Sequence, residues 1–354
     1  MQINSLMALN PEAPLAAGSI SLRPLQPGDI RIDILYCGVC HSDLHMARNE
    51  WGVSQYPLVP GHEIVGRVRE TGAAVSRFQA GDYVGVGVMV DSCGDCQFCR
   101  QQEEQYCSQG FTPTYNGTDR HTGKTTFGGY AEQIIVDQNF VVSIPDNLPL
   151  HAVAPLLCAG VTVWSPLKHY NLQPGQKVGV IGLGGLGHMA VKLASALGAE
   201  VTLFTTSPQK GADALRLGAT QVVVSTDTAQ MADYSQQLDM IIDCVAAPHS
   251  LDPYLNTLKT NGRMVLVGIP DNPHPGPEIT PMVFRRLSIG GSSIGSIAET
   301  QQMLDFCGQH NITADVEVIG GEDIEEAFNR MLAGKIKYRF VIDMQRTRWD
   351  VAAG

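Results

Sequence analysis

The sequence predicts an α/β protein of two domains, one rich in β-strands and one built on a doubly wound parallel sheet. Three observations carry this prediction. From residue 177 to residue 290, short apolar runs recur at intervals that leave room for helices, the pattern of parallel strands joined by crossover helices. Residues 1–36, 64–88 and 108–150 hold short β-branched runs broken by glycine and proline, with no helical period. The 354 residues suffice for two domains of ordinary size.

Taken in order, Arg31-Ile32-Asp33-Ile34-Leu35 alternates as a half-buried strand does. The stretch from Cys37 to Glu63 follows, with Pro57 and Pro60 stiffening the approach to His62. Strand-like runs return at 64–68 and 81–88. Cys93, Cys96, Cys99 and Cys107 come next, spaced C-x2-C-x2-C-x7-C. A domain boundary is placed near Pro149, and Cys158 to Thr162 opens a helix-rich connection. Val178-Gly179-Val180-Ile181 is a short buried strand that runs into Gly182-Leu183-Gly184-Gly185-Leu186-Gly187. A helix to about Leu197 follows, stopped by Gly198. Further strands are expected at 201–204, 221–224, 240–245, 263–268 and 287–290. Past Ser292 the chain turns helical at 299–310 and 324–333. It ends in a strand, 338–342, expected to rejoin the first domain. The predicted domains are therefore 1–150 with 292–354, and 151–291.

Composition narrows the function. Hydrophobic residues make up 44% and charged residues 17%, with net charge −11, so the chain is globular and lacks the clustered Lys and Arg that nucleic acid or anionic membrane requires. No apolar run approaches the ~20 residues of a membrane span. Met1 to Asn10 shows no secretory pattern, so a cytoplasmic protein is expected. Nine cysteines then point to metal rather than to disulfides.

Cys40 offers a thiolate, His62 an imidazole and Glu63 a carboxylate, all groups that zinc accepts. One further thiolate, with Cys158 as the candidate, would complete a three-ligand site with an open, catalytic position. Four cysteines in fifteen residues suit a closed tetrahedral zinc, although an iron–sulfur cluster is also compatible with that spacing. The G-x-G-x-x-G run, between a strand and a helix, is a dinucleotide fingerprint. Its helix N-terminus favours a pyrophosphate. An NAD site places an acid about 20 residues past the glycines. Here Phe204-Thr205-Thr206-Ser207-Pro208-Gln209-Lys210 has none. Hydroxyls of Thr206 and Ser207 with the Lys210 ammonium would accept a 2′-phosphate instead. Ser207 before Pro208 also reads as a helix N-cap.

These motifs together resemble the zinc-dependent medium-chain alcohol dehydrogenases, most nearly the cinnamyl-alcohol-dehydrogenase-like branch that reduces aldehydes with NADPH. The resemblance spans nearly the whole chain. It implies a GroES-like β-rich catalytic domain plus a Rossmann domain. Two zinc ions per chain are implied: a catalytic one on Cys40, His62 and Cys158, with Glu63 as fourth ligand or helper, and a structural one on Cys93, Cys96, Cys99 and Cys107. Ser42 and His45 would relay a proton, and Asp43 would orient His62. The expected contacts for NADP(H) are Gly182, Gly184, Gly185, Leu186, Gly187, Thr206, Ser207 and Lys210, joined by Thr162, Val267 and Ser293. Trp51, Met89, Tyr115 and Ile294 lie in stretches that resemble pocket walls. The expected activity is hydride transfer between NADP(H) and primary alcohols or aldehydes, chiefly aldehyde reduction, by a homodimer. A polyol or amino-alcohol dehydrogenase and a non-catalytic NADPH-binding protein are the competing readings.

Overall fold

A computed structural model describes residues 1–270 and 272–349. The chain divides into two units, one of Met1–Cys158 with Ser296–Gly354 and one of Ala159–Gly295. The sequence reading puts these boundaries at 150 and 292. Residues 150–157 form a short helix and a 3-10 turn that pack on strands of the first unit.

In the first unit, β1 (Gln2–Met7) and β2 (Ala16–Ser21) form a two-stranded sheet. Next come β3 (Asp29–Val39), β4 (Ile64–Thr71), β5 (Tyr83–Val86), β6 (Met89–Asp91), β7 (Thr112–Pro113), β8 (Gln133–Asp137) and β9 (Val142–Ser143). In the second unit, β10 (Lys177–Ile181), β11 (Glu200–Thr205), β12 (Gln221–Val224), β13 (Leu238–Asp243), β14 (Leu258–Leu266) and β15 (Ser288–Gly291) follow. The chain then returns to the first unit with β16 (Val316–Ile319) and β17 (Arg339–Asp343). The larger sheet of the first unit runs β16-β17-β3-β4-β5-β9, with β8 also on β3. The expected return of the final strand is thus met: β17 pairs antiparallel with β3, Phe340 opposite Val39.

The second unit is the parallel sheet, ordered β12-β11-β10-β13-β14-β15. The order reverses between β10 and β13, the switch point beside which such sheets bind ligands at their carboxyl ends. The central strands β10, β11 and β13 are apolar and mostly buried, as parallel strands covered by helices are. Phe204, Ile241, Leu258 and Met264 are fully buried in its core, each worth roughly 1.5–3 kcal/mol. Among the described residues, no single helix is long and apolar enough to cross a membrane.

Candidate active site

The site grows from the end of β3. After Val39 the chain passes through an extended Cys40 and enters the helix His41–Ala47. Asp43, three residues in, accepts the Cys40 N–H on Oδ2 at 2.9 Å, which fixes the helix start and the Cys40 backbone. Its Oδ1 accepts the Gly61 N–H at 3.0 Å and stands 3.3 Å from His62 Nδ1. The Tyr130 hydroxyl donates to Oδ2 at 3.3 Å. Asp43 is fully buried, and these contacts satisfy both of its oxygens there. With Nδ1–H directed at Asp43, His62 turns Nε2 toward Cys158 and Glu63, the side that a metal would take in place of a proton. Gly61 makes the turn before His62 with φ +102°, and a Cβ there would meet the Tyr130 ring at 2.7 Å.

His62 Nε2 lies 3.3 Å from Cys158 Sγ and 4.0 Å from Glu63 Oε1. One donor atom each from Cys40, His62, Glu63 and Cys158 fall within 4.8 Å of one another. The Cys158 S–H draws the Cys40 thiol well below its ordinary value, while the same bond pushes Cys158 well up. The two sulfurs therefore share one proton, and a divalent cation with thiolate preference would displace it. Burial would depress the His62 pKa, but the Asp43 carboxylate outweighs it and raises it. The donor set fits a zinc ion with an open position.

Glu63 carries a partner that sequence reasoning missed. Arg339, buried on β17, ion-pairs with its Oε1. Burial pushes the Glu63 carboxyl up to about 7, against the pull of Arg339. Burial also acts to lower the Arg339 pKa, but Glu63 and the two sulfurs outweigh it, so the guanidinium stays charged. Among the described residues Glu63 Oε2 has no hydrogen-bond partner, and the oxygen beside His62 is Oε1, which Arg339 also holds. Tyr115 stacks on His62 with centroids 5.8 Å apart and is buried, as is Met89. Ser42 Oγ lies 3.7 Å from Cys40 Sγ. His45 Nδ1 is bonded to the Glu50 carboxylate, and its ring packs 5.2 Å from Trp51.

The second cluster lies in the same unit. The donor atoms of Cys93, Cys96, Cys99 and Cys107 also fall within 4.8 Å of one another. Cys96 Sγ is 3.5 Å and Cys93 Sγ 3.8 Å from Cys99 Sγ. Backbone N–H groups at Cys99 and Ser108 pull the Cys96 thiol down to about 5. Four sulfurs with no open side suit a closed tetrahedral zinc.

In the second unit the expected dinucleotide residues gather at the carboxyl ends of the strands. Gly182, at φ +84°, turns the chain out of β10. A Cβ on Gly187 would lie 1.9 Å from the Gly182 carbonyl oxygen, so only glycine closes this turn. Beside Gly184 a Cβ would meet nothing, which leaves an open face for a phosphate. Gly185 and Leu186 complete the loop. Thr206 and Ser207 follow β11, Val267 follows β14 and Ser293 follows β15. Thr162 stands apart from the strand ends, buried in the helix Ala159–His169. Two details differ from expectation. Lys210 does not sit inside the helix but closes a 3-10 turn ahead of Gly211–Leu217, and its Nζ donates to the Leu183 carbonyl at 2.9 Å. The Ser207 side chain makes no capping bond; its own N–H goes to Thr205 Oγ1 at 3.1 Å, and the turn closes through Lys210 N–H to the Ser207 carbonyl at 3.0 Å.

Comparison with known proteins gives a consistent result. The family model for the alcohol dehydrogenase GroES-like domain matches residues 26–146, and that for zinc-binding dehydrogenase matches residues 185–309. The chain is 50% identical over 352 residues to the aldehyde reductase YahK of Escherichia coli strain K12, covering 99% of this chain and 100% of that one. A cinnamyl alcohol dehydrogenase of Sorghum bicolor superposes with TM-score 0.96 at 45% identity, over 99% of both chains. The cinnamyl alcohol dehydrogenase of Helicobacter pylori, solved with NADP(H), superposes with TM-score 0.92 at 40% identity, over 98% of this chain and 99% of that one.

Proposed function

The chain belongs to the zinc-binding alcohol dehydrogenase family, and from that premise we propose that it works mainly as an NADPH-dependent aldehyde reductase. It is an oxidoreductase of alcohols and aldehydes that uses zinc and NADP(H). The observation that carries the proposal is the convergence of Cys40, His62, Glu63 and Cys158 donor atoms within 4.8 Å. Bound zinc supplies a Lewis acid at the substrate oxygen, and bound NADPH supplies the hydride.

The remaining work falls to side chains. Asp43 holds the His62 tautomer, and Cys40, His62 and Cys158 hold the metal. Ser42 Oγ, next to Cys40 Sγ, delivers a proton to the substrate oxygen. His45, whose Nδ1 is engaged by Glu50, keeps Nε2 for resupplying that proton. Glu63 balances charge with Arg339 and would help a bound metal exchange water. Gly184 gives the pyrophosphate room. Thr206, Ser207 and the Lys210 ammonium, held beside the glycine loop by Leu183, receive the 2′-phosphate. Lys210 has three donors and spends one on Leu183.

We further propose a homodimer formed through the second unit. Its edge strand β15 is unpaired on one side among the described residues, and the helix Ile279–Arg285 exposes Ile279, Val283 and Phe284, the last at 84%. Exposed apolar patches beside open strand edges call for a partner. Nine cysteines with no disulfide suit a reducing, cytoplasmic compartment.

The test is kcat/KM for NADPH and NADH with one aldehyde at fixed salt. Two or three charged hydrogen bonds at ~1.5–3 kcal/mol each favour NADPH by roughly a hundredfold or more. Thr206→Asp should erode or reverse that ratio. Equal values in the parent enzyme would refute this assignment of the loop, and absence of aldehyde reduction would refute the activity.

A further inference from the structure

The second unit holds a third cluster that hydride transfer does not use. Asp243 ends β13, and His249 and His274 lie on the loops that follow β13 and β14. One donor atom from each falls within 4.8 Å of the others. Asp243 is 1% exposed. Its Oδ1 accepts the Val245 N–H at 3.1 Å. Its Oδ2 stands 3.2 Å from His249 Nε2, and among the described residues neither atom has any further hydrogen-bond partner.

The proton inventory explains why. His249 Nδ1 lies 2.9 Å from the Ala247 carbonyl oxygen. A carbonyl only accepts, so Nδ1 carries the ring hydrogen. In the neutral ring Nε2 is then a lone pair, and it faces a buried carboxylate oxygen. Two acceptors at that distance require a positive species shared between them. An added proton would serve Asp243 and His249 alone. It would not account for His274, whose ring packs edge-on against His249 with centroids 4.7 Å apart. The His274 Nδ1 lies 3.3 Å from both the backbone N and the carbonyl O of His249, which fixes the second imidazole at the same point.

We propose that Asp243, His249 and His274 bind a divalent cation of the zinc class. Two imidazoles and a carboxylate are a known three-ligand set for zinc with an open position. Hard cations such as calcium and magnesium prefer oxygen donors throughout. Both histidines are half-buried, so the ion enters from solvent. The Val267 and Gly268 N–H groups already bond to the Asp243 carbonyl at 3.0 and 3.3 Å. A bound ion adds a second tie between the same two loops. Val245, two residues past Asp243, comes within 2.8 Å of a Cβ built on Gly182, so the tie stiffens the wall of the dinucleotide loop.

The experiment is zinc counting on the intact chain after equilibration at a fixed micromolar free zinc concentration. The parent should hold three ions, and His249→Gln and His274→Gln should each hold two while keeping the parent's circular dichroism. Cys244→Ser should keep three, which separates the site from the adjacent thiol. Equal zinc in parent and both histidine variants would overturn the proposal, leaving a proton-bridged pair, and so would loss of the third ion in Cys244→Ser. Anomalous scattering at the zinc edge on parent crystals needs no variant: a peak beside Asp243 Oδ2 supports the site, and its absence overturns it.

Discussion

The two four-residue clusters of the first unit are built from opposite materials. One gathers Cys40, His62, Glu63 and Cys158 from separate segments, buries most of them and mixes sulfur, nitrogen and oxygen donors. The other takes Cys93, Cys96, Cys99 and Cys107 from a single stretch, leaves Cys93 and Cys96 half-exposed and uses sulfur only. The mixed cluster depends on the fold to assemble it, and the sulfur lobe holds its own stretch of chain together. On the proposed assignment, metal in the first would serve turnover and metal in the second would serve stability.

The strongest way to break the comparison is to exchange the consequences. Cys40→Ser and His62→Ala should abolish turnover yet leave the melting temperature within a few degrees, since the surrounding sheet is assembled without them. Cys96→Ser and Cys107→Ser should do the reverse. Melting should fall by about 5–10 °C, as a loss of ~2–3 kcal/mol implies for a unit of this size, while the folded fraction stays active. Thermal melts and kcat/KM on all four variants decide it. Lobe variants that melt like the parent would remove the structural assignment.

A smaller effect separates two residues beside the mixed cluster. Ser42→Ala should lose about 10²–10⁴-fold in kcat, the span of a positioned proton donor. His45→Ala should lose roughly tenfold or less, since water can replace a relay one step further out. Its anchoring on Glu50 and Trp51 makes it a fixed group, so any loss it does cause should show in the pH profile rather than in KM. Parent rates in Ser42→Ala would move the relay elsewhere.

The supporting groups sharpen the comparison further. Asp43 touches Cys40, Gly61, His62 and Tyr130. Asp43→Asn should therefore weaken zinc retention at the mixed cluster by about 10–100-fold, the usual cost of losing an outer partner. The counterpart in the lobe is Ser92, whose hydroxyl accepts from Cys99 Sγ at 3.3 Å. Ser92→Ala should change zinc retention little, because backbone groups already hold those sulfurs. Competition against a chromophoric chelator measures both.

The same contrast governs what could be read beforehand. The lobe is local, so its spacing alone announces four converging sulfurs. Cys40, His62 and Glu63 are legible as donor types, but Cys158 enters only by resemblance. Arg339 was missed, although an arginine in the apolar run Tyr338 to Ile342 is an anomaly. Its role emerges only from the pairing of β17 with β3, which sets Phe340 against Val39 and so brings Arg339 level with the turn at Cys40. Tyr130 reaches Asp43 in the same way, across a distance of 87 residues. The parallel sheet is legible because apolar runs separated by helix-length intervals announce parallel strands joined by crossovers, whereas their order is not. The Lys210 contact to Leu183 is not, since it depends on two loops leaving neighbouring strands.

The most delicate difference lies in the thiols themselves, in chain stripped of zinc. Backbone N–H donors bring Cys96 down to about 5, whereas Cys158, by donating to Cys40 and by burial, is driven well above an ordinary thiol. Thiolate is the alkylating form, and its fraction rises as pH climbs through the group's pKa. Cys96 should therefore react with iodoacetamide with a midpoint near pH 5 and be largely modified at pH 7. Cys158 should remain intact there. The order follows from the sign of each shift: a lowered thiol ionises earlier as pH rises, a raised one later. Peptide mapping across pH 4–9 reads both sites in one sample. Added zinc should protect Cys96, because the metal takes the same lone pair the reagent needs. Both clusters split their thiols, since Cys93 of the lobe is pushed up to about 12 and Cys40 of the mixed cluster is drawn well down, so a Cys158 that reacted before Cys96 at pH 6 would refute the order assigned to this pair.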